Sequence, residues 1–326
     1  MAHDVEVRPM QGTDAYGVSE CVIRCYGDTY PKPIMYRPDD LAERVASRAY
    51  QGVVATLGSD IVGHIGFTWP TPVSTVVEAG TTVVDPSCRG MGVMQHLSVG
   101  LGRELIALGV AGFVHFPTTA HEVMQRASVR AGGRETGIML AYLPTEARDL
   151  EIGGHGDERL AVTVVYQPIG VAPPQPVALP RRHRTRMLAL AHSVGLERHP
   201  IALRPPTRAT TLHTHTIDGP RGLARISVER IGTDMADQVE AIMSASGAAL
   251  VHVDLPMHDA AIDDAVELLC ESSFAFAAWL PGWAGHDVLR LQHVAHPTAA
   301  ELAPKLASDE ASDLMAMIRS EILLRS

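Results

Sequence analysis

Residues 81–108 read TTVVDPSCRGMGVMQHLSVGLGRELIAL, and the fold is decided there. Val83 and Val84 end an apolar, β-branched run, the composition of a strand. Asp85-Pro86-Ser87 turns the chain, and Arg89-Gly90-Met91-Gly92 carries it onward. Apolar residues then recur at Val93, Leu97, Leu101, Leu105 and Leu108, the three-to-four spacing of an amphipathic helix. The predicted order is strand, glycine loop, helix. Gly90 and Gly92 lack a Cβ, so a ligand can approach their main chain and unusual φ values are tolerated. The first-turn N–H groups of the helix have no intrahelical partner and sit at the positive end of its dipole, which suits a pyrophosphate. Arg89 adds a full charge. Two common nucleotide loops are excluded. A P-loop ends in Gly-Lys-Ser/Thr, whereas the chain has only two lysines, Lys32 and Lys305, and a dinucleotide fingerprint needs a third spaced glycine.

The chain has 326 residues, enough for two domains, with 46% hydrophobic and 20% charged residues, the balance of a soluble globular protein. No apolar run approaches about 18 residues, and the start, MAHDVEVRPM, has no signal-peptide pattern. The expected location is cytoplasmic, with no membrane partner. Cys21, Cys25, Cys88 and Cys270 form no CxxC pair, which argues against a zinc ribbon or a disulfide framework. Scarce lysine, with much arginine, alanine, glycine and proline, is the usage of a GC-rich bacterial genome. A net charge of −10 opposes broad nucleic-acid binding. Between Arg181 and Arg208, however, seven arginines (181, 182, 184, 186, 198, 204, 208) face one acid, Glu197, and keep a polyanion partner open.

Around the opening stretch the pattern continues in both directions. Val5 to Val7 alternates as a strand, Thr13-Asp14 caps a helix to Tyr26, and a second helix is expected over 39–50. Residues 52–57 and 61–68 form a hairpin about Gly58-Ser59-Asp60, and 78–84 is the strand feeding the glycine loop. Strand 110–116, helix 121–131 and strand 137–143 follow. Residues 146–158 read as a boundary, 160–166 as a strand, 167–181 as a proline-rich linker and 182–196 as a basic helix. Strand RISVER, helix 234–245, strand ALVHVDLP, helix 260–272, strands FAFAAWLPG and DVLRLQHV and a helix over 309–324 complete the chain.

The run from the strand through Asp85-Pro86 and Arg89-x-x-Gly92 to the helix resembles the acyl-CoA loop of the GNAT superfamily of N-acetyltransferases. The order strand, glycine loop, helix, strand, helix, strand over 78–144 is similar to that family's core, and the resemblance spans residues 4–144. The fragments YGDTYP, VVDPSCRGMG, AHEVMQRASVRAGGRETGIML and HDVLRLQHV resemble bacterial two-domain members. The implied fold is α/β (α+β): two GNAT-like domains, each a mixed central sheet flanked by helices, the second degenerate because no glycine loop leads its helices. The implied boundaries are 1–148 for the acyltransferase domain, 149–209 for strand, linker and basic helix, and 210–326 for the degenerate domain.

The resemblance implies an N-acyltransferase of bacterial specialised metabolism that acylates the amine of a small molecule. Its co-substrate would be acyl-CoA, acetyl-CoA or another, or the pantetheine arm of an acyl carrier protein. The backbone of Val83 and Val84 would pair with pantetheine, and Arg89, Gly90, Met91, Gly92, Val93 and Met94 would hold the diphosphate, with Met94 where the family has Gly or Ala. Glu78 is the expected general base, and His121, with His115, the expected histidine near the thioester sulfur. The family's usual tyrosine proton donor is missing from helix 121–131, which leaves Tyr142 as the nearest. Tyr26, Tyr30 and Tyr36 would wall the acceptor site. No metal is expected: His213 with His215, and His252 with Asp254, lack a third ligand at clear spacing. Alternative readings are an aminoacyl-tRNA-dependent amide-forming transferase, with tRNA on the arginine patch, and a non-catalytic acyl-CoA sensor. A homodimer stays open.

Overall fold

The computed structural model describes residues 5–145, 158–219 and 221–323. The first half runs β1 (Glu6–Pro9), α1 (Ala15–Tyr26), α2 (Pro38–Ala46), β2 (Gln51–Leu57), β3 (Asp60–Thr68), β4 (Val76–Val84), α3 (Val93–Ala107), β5 (Gly112–His115), α4 (Val123–Arg130), β6 (Arg134–Leu143) and β7 (Leu160–Pro168). After it come β8 (Gln175–Val177), α5 (Arg184–Val194) and β9 (Arg198–Pro200). The second half runs β10 (Leu212–Asp218), β11 (Leu223–Arg230), α6 (Met235–Ser246), β12 (Leu250–Pro256), α7 (Ile262–Glu271), β13 (Ala275–Leu280), β14 (Val288–Val294) and α8 (Asp309–Leu323). The expected boundary over 146–157 and Leu324 of the last helix lie outside the described residues.

The amphipathic spacing of the opening stretch works as read. Val93, Leu97, Leu101 and Leu105 are all buried, and α3 lays them on β2 and β3. Leu108 falls past the helix end and is partly exposed. The second helix stops at Ala46, short of the expected 39–50, and Arg48 there takes a left-handed φ of 61° before β2 begins.

Twelve strands form one sheet in the order β1-β2-β3-β4-β5-β7-β6-β13-β14-β12-β11-β10. The architecture is thus mixed α/β, with a large mixed sheet flanked by helices. On either side of the β6–β13 seam the order is the same. In the first half β4 and β5 are parallel, β7 is antiparallel to β5, and β6 is antiparallel to β7. In the second, β11 and β12 are parallel, β14 is antiparallel to β12, and β13 is antiparallel to β14. Strand β7, which the sequence reading puts in the connecting segment, therefore inserts between β5 and β6. Part of the proline-rich run also joins the body: β8 pairs with β9, and Val177, Ala178 and Leu179 are buried.

At the seam β6 and β13 share one register pair, Gly137 with Ala278. A Cβ on Gly137 would stand 2.1 Å from the Ala277 carbonyl oxygen, so the strands meet only because that side chain is missing. Gln292 of β14 extends the contact. Its amide donates to the carbonyls of Ile138 (3.0 Å) and Phe276 (2.9 Å), and its oxygen accepts from the Leu140 N–H (2.8 Å).

Candidate active site

Strand β4 pairs with β5 at Val76–Gly112, Val77–Phe113 and Glu78–Val114, and no further. It runs on to Val84 with β3 as its partner. Two local features part the strands. Beyond His115, Pro117 interrupts the chain of β5 and offers no N–H to a ladder. On the other edge the β3–β4 register shifts between His64 and Gly66, and Thr81 opposite takes a left-handed φ of 53°, the signature of a bulge that bends β4.

The gap opens into a cleft of about 750 Å³ lined by Val84, Arg89, Gly90, Gly92, Val93 and Met94 on one side and by Met124, Ala127 and Ser128 of α4 on the other. Gly90 and Gly92 have φ of 80° and 78°, values that favour glycine. The turn before them is fixed by Asp85, whose carboxylate accepts from the Ser87 N–H and hydroxyl and pairs with Arg24. Burial opposes its charge, but the bonds from Ser87 and Arg24 outweigh this and hold its carboxyl below the usual range. Gln95 and His96 donate to the Gly92 carbonyl, so the N–H groups of Val93 and Met94 have no carbonyl inside the helix. Met91 is exposed and does not line the cleft; nor does Val83, whose side chain is buried in the apolar cluster under α1.

A second cavity, about 230 Å³, lies past Glu78. Tyr26, Tyr30, Glu78, His115, His121 and Tyr142 all line it, so six residues singled out from sequence converge. Tyr36 does not line it; its hydroxyl accepts the Tyr30 N–H at 2.8 Å and so holds the Tyr30 loop from behind. Cleft and cavity share Ala79, Thr82, His115 and Met124.

His115 therefore stands at the junction. Burial pushes its imidazole down to about 4, which keeps the ring neutral, and its buried Nε2 has no hydrogen-bond partner among the described residues. Nδ1 of His121 is likewise buried and unpaired among them. Lys32 Nζ lies 3.8 Å from the Glu78 carboxylate.

Tyr142 sits where β6 bulges: the β6–β7 register shifts between Met139 and Leu143, and Ala141 has φ of 51°. Its ring stacks on His252 of β12 at 6.0 Å and 2°, and the Arg221 guanidinium lies 5.3 Å from its centroid, within cation–π range. The second half thus reaches the cavity through Arg221, which lines it. Neither Lys32 nor Arg221 follows from sequence reasoning. Lys32 has a faint signal, a lysine between two prolines in an arginine chain; Arg221, in a Gly-Pro-Arg-Gly turn, has none.

The arginine patch is largely spoken for. Arg181, Arg182, Arg186, Arg198 and Arg208 pair with Asp263, Glu267, Glu310, Asp287 and Asp259. Cys21 and Cys25 are buried on the inner face of α1. Among the described residues no group of three or more His, Cys, Asp or Glu is placed to hold a metal; His213 and His215, 6.1 Å apart on the edge strand β10, stay a pair. No described helix is long and apolar enough to cross a membrane.

No protein-family model matches the chain, and no curated protein sequence does. Solved structures do. A GNAT-superfamily phosphinothricin acetyltransferase from Sinorhizobium meliloti, in complex with acetyl-CoA, is 18% identical; the match covers 52% of this chain and 90% of that one, with a TM-score of 0.41. The ribosomal-protein-S18-alanine N-acetyltransferase of Escherichia coli is 17% identical over 52% and 97% of the two chains, with a TM-score of 0.41. An N-acetyltransferase of Staphylococcus aureus Mu50 is 16% identical over 51% and 99%, also at 0.41. Over about half its length, the chain is similar to solved N-acetyltransferases, among them members of the GNAT superfamily.

Proposed function

We propose that the protein is a GNAT-type N-acyltransferase that moves an acyl group from acyl-CoA, or from the pantetheine arm of an acyl carrier protein, to the amine of a small molecule. The observation that carries this reading is the parting of β4 from β5 after Glu78, which opens a cleft with a glycine turn at one end and a polar cavity at the other. Acyl-CoA supplies an acyl carbon activated as a thioester. The N–H groups of Val93 and Met94, with Arg89, offer positive charge to its diphosphate. The stretch from Ala79 to Val84, paired on one side only, offers backbone to the amides of an extended arm, Val83 and Val84 included.

Across the junction Glu78 takes the proton of the attacking amine, and Lys32 balances its charge. Neutral His115, whose Nε2 has no hydrogen-bond partner among the described residues, orients or relays that proton. Tyr142, which lines the acceptor cavity, is the candidate for protonating the departing thiolate. The small acceptor cavity favours a small amine over a folded protein surface. The second half, with the same strand order but no glycine turn, reads as a degenerate GNAT-like unit that walls the acceptor side. Its acids neutralise five of the seven patch arginines, which supports an acyl-CoA donor over aminoacyl-tRNA. The test is thiol release from acetyl-CoA against a panel of small amines, with binding followed by calorimetry. Saturable, amine-dependent release is expected; tight binding with no release across the panel would replace the transferase by a sensor.

A further inference from the structure

Among the residues that line the acceptor cavity, Lys32 carries a primary amine of the protein's own. Its main chain is pinned: Pro31 and Pro33 flank it, its N–H donates to the Tyr30 carbonyl (2.9 Å), and its carbonyl accepts from Met35 (3.0 Å). The side chain reaches over Gly80, where a Cβ would lie 3.3 Å from Nζ, so the missing side chain makes room for the amine. Gly80 belongs to the stretch of β4 that has left β5. Nζ thus stands at the rim of the gap, 3.8 Å from Glu78, in the cavity that meets the donor cleft at His115. The residue type matters too. Arginine serves almost every other basic position in the chain, but a guanidinium stays protonated and is a poor nucleophile, whereas a lysine amine can give up its proton and attack.

Resting on the acyltransferase reading above, we propose that Lys32 is a self-acylation site: without a small amine, the protein acylates its own Lys32 from acyl-CoA bound in the cleft. Glu78 takes a proton from the Lys32 ammonium. Nζ then attacks the thioester carbonyl carbon, a C–N bond forms, the C–S bond breaks, and the thiolate leaves. The second amine proton passes to that thiolate, giving CoA and an N-acylated lysine, with the first proton released to water. The product has no charge, so it ends the ion pair with Glu78 and fills the acceptor cavity. Self-acylation is thus a brake on turnover when acceptor is scarce.

The full-length protein, incubated with acetyl-CoA alone and mapped by peptide mass spectrometry, tests this directly because the chain has only two lysines. Lys305, which is exposed, is the internal control for plain chemical acetylation. One acetyl group on Lys32 is expected, at a first-order rate independent of protein concentration. That rate should fall ~10²-fold in Glu78→Gln, and the label should be absent from Lys32→Arg. Equal labelling of Lys305, or labelling of Lys32 unaffected by Glu78→Gln, would overturn the proposal. So would an unlabelled protein to which acetyl-CoA binds by calorimetry. An unlabelled protein that binds no acetyl-CoA would instead bring down the donor reading, and this proposal with it.

Discussion

The two halves carry the same strand order on either side of one seam, yet only the first opens. Strand β4 leaves β5 after three rungs, whereas β11 stays on β12 for five, from Leu223–Leu250 to Ser227–Asp254. Counted from where each ladder starts, Glu78 corresponds to Arg225 and Val114 to His252. Beyond that rung the first half bends β4 away through a bulge, whereas the second keeps Ile226–Val253 and Ser227–Asp254 paired and buries an ion pair between β12 and the next strand, β14. Asp254 holds Arg290 by two bonds of 2.6 and 2.7 Å, with Arg290 fully buried. That pair ties β12 to β14, and parting these two strands would leave two charges away from water. The helix starts differ in the same sense. Gly92 precedes α3, whereas Asp234 precedes α6 and spends its carboxylate on the Thr211 N–H at 2.7 Å. One topology thus makes a binding cleft or a solid wall, depending on a few residues past the third rung.

The largest expected effect asks whether the halves are one body. Each holds histidines that stay neutral: His64, fully buried, and His115, half-buried, in the first, and His252, fully buried, and His286, half-buried, in the second. Burial lowers all four, His64, His115 and His286 to about 4. In the unfolded chain a histidine takes its proton near pH 6.5, so between about 6.5 and 4 the unfolded state binds more protons and stability falls with pH. His64, fully buried, accounts for on the order of 3 kcal/mol by pH 4. Acidification through this window should unfold the protein in one step, with far-ultraviolet dichroism and tryptophan fluorescence falling together. Two separate steps would show that the seam does not couple the halves.

The next concerns the cleft itself. Gly92→Asp places a side chain at φ of 78° and a carboxylate beside the expected diphosphate, although its Cβ would meet only His96 Cε1, at 3.9 Å. Left-handed strain and charge repulsion together should weaken acetyl-CoA binding roughly 10³-fold while the fold survives. The converse change, Asp234→Gly, should create no second site, because β11 and β12 remain paired. Calorimetry of the wild type should give one acetyl-CoA per chain, and two would erase the distinction between the halves.

Much of this contrast is legible in the sequence because its causes are local. The period of α3, the glycines before it and the strand that carries Glu78 up to them are set by neighbours within a few residues. Pairing over long distances leaves no such trace. Strand β7 follows β6 in the chain but inserts between β5 and β6, and Leu212–Asp218 (β10), a polar and mostly exposed edge strand, has no apolar alternation to announce it. The arginine patch reads as a basic surface because its carboxylate partners stand between 51 and 124 residues downstream. Arg221 enters the acceptor cavity from the second half for the same reason.

A smaller effect is expected at the seam. Gln292→Leu removes three buried hydrogen bonds and leaves the Leu140 N–H and two carbonyls without that partner. Stability should fall by about 2 kcal/mol. If the seam is what makes the halves one body, acid unfolding of this variant should broaden or split. A single unchanged transition would assign the coupling to the surrounding apolar packing instead.

The smallest expected effect is an improvement. Met94 lies in the first turn of α3, half-buried, and lines the donor cleft beside Gly90 and Gly92. Met94→Ala keeps the helix, since alanine is at least as good a helix former, and keeps the carbonyl that accepts the Ser98 hydroxyl at 2.9 Å. It gives up part of a contact with the apolar cluster under α3, a loss of about 1 kcal/mol for a side chain that is already partly in water. In return the main chain at the turn becomes easier to approach. Acetyl-CoA affinity should rise ~3-fold, which is about 0.6 kcal/mol, with a slightly lower Tm. A fall in affinity would show that the Met94 side chain is itself a donor contact, and that this cleft is shaped around a thioether.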